Sequence, residues 1–166
     1  MGIQPPTGEP PYPQLTLGWL LLALKRAEIN AETVDERAEV VRLSKPLADI
    51  HKQWRFAWDR KATQEFKARL KLWRDFLEEY RSNPDQNYDR YSYEVSRRVL
   101  LELLDMETIE ISQAEKDLLM GLDKVLRTVL VRGEFIWDKK LVSGFPRTRF
   151  WFLFGKLPKQ PATIPH

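Results

Sequence analysis

At 166 residues the chain has room for one domain with a core, but not for two comfortable ones, and 43% hydrophobic with 31% charged residues argues against wholesale disorder. The absence of cysteine excludes disulfides, thiolate metal sites and a cysteine nucleophile, and fits a reducing cytoplasm. The net charge of +3 comes in blocks: Lys and Arg less Asp and Glu give −2 over residues 1–50, +6 over 51–74, −7 over 75–118 and +6 over 119–166.

Eight of the eleven prolines fall in the first thirteen or last nine residues. Proline fixes φ and lacks a backbone donor, so an extended arm is expected over 1–14 and an extended tail over 158–166, flanking a single helical domain at 15–157. No basic n-region precedes an apolar stretch at the N-terminus, so no signal peptide is expected. The longest apolar stretch, Leu15 to Leu24, is about half the length of a membrane span.

The first helix is expected from about Thr16 to Glu28, apolar almost all round from Leu17 to Leu24 and therefore buried. Thr33-Val34-Asp35-Glu36 reads as a capping box opening a short second helix. Ser44-Lys45-Pro46 reads as a stop and restart, with serine as cap and proline in the first turn. From Pro46 a helical pattern runs to about Arg81, with one stripe of Leu47, Ile50, Trp54 and Ala57 and another of Phe66, Leu70, Trp73, Leu77 and Tyr80. A helix of that length either projects from the body or kinks near the polar stretch Asp59 to Glu65.

Ser82-Asn83-Pro84-Asp85 is a stop. A further helix is expected from Ser92 to Met106, with Val95, Val99, Leu103 and Met106 inward. A second capping box at Ser112–Glu115 opens the last helix, expected to reach Trp137 with Leu118, Leu122, Val125 and Val129 inward. These patterns predict an all-α fold: an irregular bundle of about five helices around one long central helix, with at most one short strand.

Catalytic chemistry has little to stand on. His51 would need a carboxylate from another helix to serve as a base, because its neighbour Asp49 points to a different side. Glu102, Asp105, Glu107 and Glu110 form the densest carboxylate group, which reads as a solvated connection rather than a cation site. No Glu-x-x-His pair, phosphate-binding glycine loop or nucleophile elbow occurs. No cofactor, no metal and no enzymatic activity are expected.

Two features point to binding. Lys52, Arg55, Arg60, Lys61, Lys67, Lys71 and Arg74, interleaved with tryptophans, form a candidate nucleic-acid face on the long helix, if the acidic block does not neutralise it. The run Arg147 to Lys156 carries Phe150, Trp151, Phe152 and Phe154 behind Arg147 and Arg149, with Phe145 just upstream. An unbroken apolar run wants burial on both faces, so it completes either this chain's core or a partner's. The expected function is a non-enzymatic protein-interaction module, a subunit or adaptor with self-association or a protein partner. The alternative is a nucleic-acid-binding accessory protein using the basic helix face and the C-terminal segment.

Overall fold

The computed structural model describes residues 16–162; the arm expected at 1–14 and the last residues of the tail lie outside them. The fold is an all-α helical bundle. Among the described residues it has six α-helices and one two-stranded ribbon.

Helix α1, Leu17–Asn30, begins where the Thr16 hydroxyl accepts from the Trp19 amide at 3.3 Å. Its second amide, Gly18, donates at 2.6 Å to the Glu65 carboxylate of a distant helix, so both side chains satisfy orphan donors. Only Leu17, Gly18 and Leu22 of α1 are buried; Ala23 is exposed, so the helix is not enclosed all round as the apolar run suggested.

Helix α2, Val34–Gln53, opens with the Thr33–Glu36 capping box, made in both directions. It then passes straight through Ser44-Lys45-Pro46. The expected stop and restart is therefore wrong. Pro46 is exposed, so water can serve the carbonyl that loses its helical donor, and the Ser44 hydroxyl donates to the Val41 carbonyl at 3.1 Å instead of capping a new helix.

The break comes at Trp54, with φ −118° and ψ 39°. Its amide still donates to Ile50 and its carbonyl accepts from Trp58, so one residue ends α2 and starts α3. The expected helix over 46–81 is thus two helices, and α3 is Arg55–Ser82. It is the central element: Phe66, Leu70, Trp73, Leu77 and Tyr80 are all buried, as their spacing predicts, together with Ala62 and Phe76. Pro84 keeps Asn83 out of the helical region, at φ −148° and ψ 75°, and ends α3.

After the single turn α4, Pro84–Asn87, helix α5, Tyr91–Glu107, packs along α3 with Val95, Val99, Leu100, Leu103 and Leu104 buried. Met106 does not join that stripe; it is exposed. Helix α6, Gln113–Val129, starts at Ser112, whose hydroxyl accepts from the Glu115 amide. Its buried side is Leu119, Leu126 and Val129; of the expected stripe Val129 is buried, Leu122 and Val125 are half-buried and Leu118 is exposed.

The last helix stops at Val129, not Trp137, because the chain turns into strand β1, Val131–Phe135. It pairs antiparallel with β2, Phe154–Lys156, through Val131–Lys156, Arg132–Gly155 and Phe135–Phe154. Between the strands the chain makes 3-10 turns at Lys139–Gly144 and Trp151–Leu153. Among the described residues no helix is long and apolar enough to cross a membrane.

Candidate functional site

The C-terminal segment completes this chain's own core. Phe145, Phe150, Phe152 and Phe154 are all buried, along with Leu153 and Leu157. Edge-on ring contacts link Phe145 to Phe150 and Phe150 to Phe152, at centroid separations of 5.0 and 6.0 Å. Two tyrosines tie the backbone down: Tyr91 donates to the Phe152 carbonyl, and Tyr80 to the Pro158 carbonyl at 2.7 Å. The four phenylalanines expected at an interface are thus buried within this chain itself.

Cations already lie beside the rings. Lys25 lies 5.2 Å from the Phe145 centroid, Arg98 is 4.5 Å from Phe152, Arg127 is 3.8 Å from Trp151 and Arg147 is 4.6 Å from Phe154. Burial pushes the Lys25 ammonium below its usual range, with Glu28 partly opposing the shift. A base-stacking platform needs free ring faces, and here those faces meet the chain's own side chains.

Arg149, expected at the rim of a partner contact, donates at 2.7 Å to Glu102 of this chain. That carboxylate also accepts from Arg98, which bridges to both oxygens of Asp123 at 2.9 Å. Desolvation disfavours the buried Arg98 charge, but the bonds to Asp123 and Glu102 outweigh it, and its pKa is raised. The cluster joins α5, α6 and the C-terminal segment. Of the four carboxylates grouped in the sequence, Glu102 is thereby drawn into ion pairs and Asp105 faces Lys116 at 3.6 Å. Among the described residues there is no cluster able to hold a metal ion.

The candidate nucleic-acid residues are split by the Trp54 turn, with Lys52 on α2 and the others on α3. Lys52, Arg55, Arg60, Lys61, Lys67 and Lys71 are exposed, and no ion pair forms at any of them among the described residues. Arg74 is half-buried beside Asp75 at 3.7 Å. Arg60 and Lys67 border a groove that also contains Asp59, Glu110 and Glu115, so this part of the face is mixed in charge.

The surface least explained by packing is α2. None of its twenty residues is buried. Leu43, Leu47, Ile50 and Trp54 recur at helical spacing; Leu43, Ile50 and Trp54 are 59%, 50% and 59% exposed, and Phe56 just beyond the turn is 82% exposed. Read from sequence, Leu47, Ile50 and Trp54 belong to one apolar stripe of a long helix. Helical periodicity reports an apolar side without saying what covers it, and Leu43 and Phe56 carry no separate signal.

Between α2 and the body runs a groove of about 350 Å³, bordered by Leu21, Leu24, Leu47, Trp58, Leu103 and Met106. His51, Glu28 and Glu107 also border it. The groove thus brings together a histidine and carboxylates from other helices, but His51 stacks on Trp58 with centroids 4.6 Å apart and makes no hydrogen bond among the described residues. No protein-family model matches the chain, and no curated protein or solved structure is detectably similar to it.

Proposed function

We propose that the chain is a non-enzymatic protein-interaction module, a subunit or adaptor, that docks a helical partner along α2 and the Trp54 turn. The observation that carries this reading is a twenty-residue helix with no buried residue, whose Leu43, Ile50 and Trp54 share one side and stand open to solvent. Isolated helices are marginal in water and gain most of their stability from packing an apolar side, so a partner supplies what the body does not. A cytoplasmic site of action belongs to the same proposal, supported by the cysteine-free composition.

Replacing Leu43 and Ile50 together by aspartate is the test. The parent chain is expected to associate with itself in sedimentation velocity, or to recover a discrete partner from its own cells, and the double variant to do neither while keeping its helical circular dichroism. A parent that stays monomeric and recovers nothing beyond what the double variant recovers would sink the proposal.

One observation favours a second reading, a nucleic-acid-binding accessory protein: Lys52, Arg55, Arg60, Lys61, Lys67 and Lys71 are exposed and form no ion pair among the described residues. RNA or DNA binding that weakens with salt and is lost on charge reversal at Lys67 and Lys71 supports it. No binding at about 50 mM salt, where phosphate contacts are strong, ends it.

A further inference from the structure

A cleft of about 260 Å³ lies where the end of α6, β1 and the C-terminal segment meet, away from α2 and α3. Its lining is Arg127, Leu130, Arg132, Arg147, Thr148, Trp151 and Phe154, with no acidic residue. None of the three arginines makes an ion pair among the described residues. Four other arginines, Arg90, Arg97, Arg98 and Arg149, do find carboxylates, whereas Arg55 and Arg60 on α3 are unpaired among the described residues but do not share such a cleft. Three cations that share a cleft without an anion repel one another, an arrangement an anionic ligand relieves.

Two of them are also held in place. Arg127 lies 3.8 Å from the Trp151 ring centroid; Arg147 lies 4.6 Å from that of Phe154 and donates to the Gly133 carbonyl at 3.1 Å. A guanidinium resting on a ring keeps its in-plane N–H groups for another acceptor, with less side-chain freedom left to lose on binding. Arg132 has no hydrogen bond or ring contact among the described residues and is free to close on a ligand. Thr148 adds a hydroxyl to the lining.

The geometry points to a binding site for a phosphate-monoester group, held by Arg127, Arg132 and Arg147 with Thr148. The phosphate of a monoester is close to a dianion at neutral pH and offers three terminal oxygens, which suits several cations converging on one cavity. A nucleic-acid backbone carries one charge per phosphate and is better served by cations spread along a path. Base stacking is also disfavoured, since Arg127 and Arg147 already rest on the two aromatic rings. The inference is independent of the α2 docking face.

The test is titration calorimetry of the full chain with free O-phosphoserine and with a short phosphoserine peptide. Glutamate, the unphosphorylated peptide and a thymidine oligonucleotide without a terminal phosphate serve as comparators. Both phosphorylated probes are expected to saturate one site; equal affinity identifies a free metabolite as the source, and tighter peptide binding identifies a protein side chain. Arg132→Gln and Arg147→Gln are each expected to weaken binding roughly tenfold or more, as loss of a charged hydrogen bond does. Lys139→Gln, on the same basic block but outside the cleft, is expected to leave it unchanged. Because the Arg132 side chain makes no hydrogen bond, ion pair or ring contact among the described residues, its variant is expected to read binding without a folding change. The inference is overturned if neither phosphorylated probe binds at low-millimolar concentration, if a comparator binds as well, or if Arg132→Gln binds like the parent.

Discussion

Phe152 shows at the scale of one residue why the C-terminal segment is core rather than contact surface. Its ring is buried between Phe150 and Trp151 with Arg98 over it, and its carbonyl accepts from Tyr91. Phe152→Ala is expected to lose about 3–5 kcal/mol in urea unfolding, whereas Phe56→Ala, at an exposed site, shifts stability by about 0.5 kcal/mol or less. Comparable losses would contradict the placement. Gly155 has φ +156°, and a Cβ there would lie 2.5 Å from the Val131 carbonyl oxygen. Gly155→Ala should therefore cost roughly 1–3 kcal/mol, while Gly121→Ala on α6, where a Cβ meets nothing, should gain about 0.5–1 kcal/mol by the same assay. The Tyr80 hydroxyl, bonded to Pro158, is pushed by burial from its usual value near 10 up to about 12. A pKa raised on folding means the native state holds the proton more tightly. That contribution is complete below pH 10 and is lost as pH rises toward 12, the range over which the urea midpoint should fall. Tyr80→Phe should flatten part of that fall.

At the scale of elements, what was legible in the sequence is what local chemistry decides. Thr16 and the Thr33–Glu36 box mark real helix starts because caps act within one turn. The stripe from Phe66 to Tyr80 lies inward because helical spacing alone puts those side chains on one side. Two boundaries were not legible. Pro46 looks like a restart, yet an exposed helix tolerates it, and the actual break at Trp54 carries neither proline nor glycine. The stretch after Val129 continues a helical pattern, but Val131 to Phe135 pairs instead with Phe154 to Lys156, a partner no local window contains. If α2 is continuous through Pro46, then Pro46→Ala should strengthen it, by up to about 3 kcal/mol on helix-propensity grounds, read as slower amide exchange between Val40 and Gln53. Unchanged exchange would favour the break at Ser44 instead.

For the whole molecule, the charge blocks have different fates. The acidic block draws in Arg149 and shares the buried Arg98–Asp123–Glu102 cluster, while Lys52, Arg55, Arg60, Lys61, Lys67 and Lys71 and the three arginines around the C-terminal cleft form no ion pair among the described residues. An excess of positive charge over 119–166 was visible in the sequence; that Arg127, Arg132 and Arg147 converge was not, because α6, the ribbon and the 3-10 turns bring them together. The same limit explains α2. Its apolar stripe is plain in sequence, but only the packed fold shows that α3 and α5 fill the core without it.

The central claim is that this uncovered side is where a partner sits, and a photo-crosslinking residue placed at Ile50 or Trp54 in cells tests it most directly. The expected result is one discrete adduct from both positions, with a second copy or with a single other protein, and none from Tyr93, which is 66% exposed on α5. No adduct from Ile50 and Trp54, or equal labelling from all three sites, would contradict it.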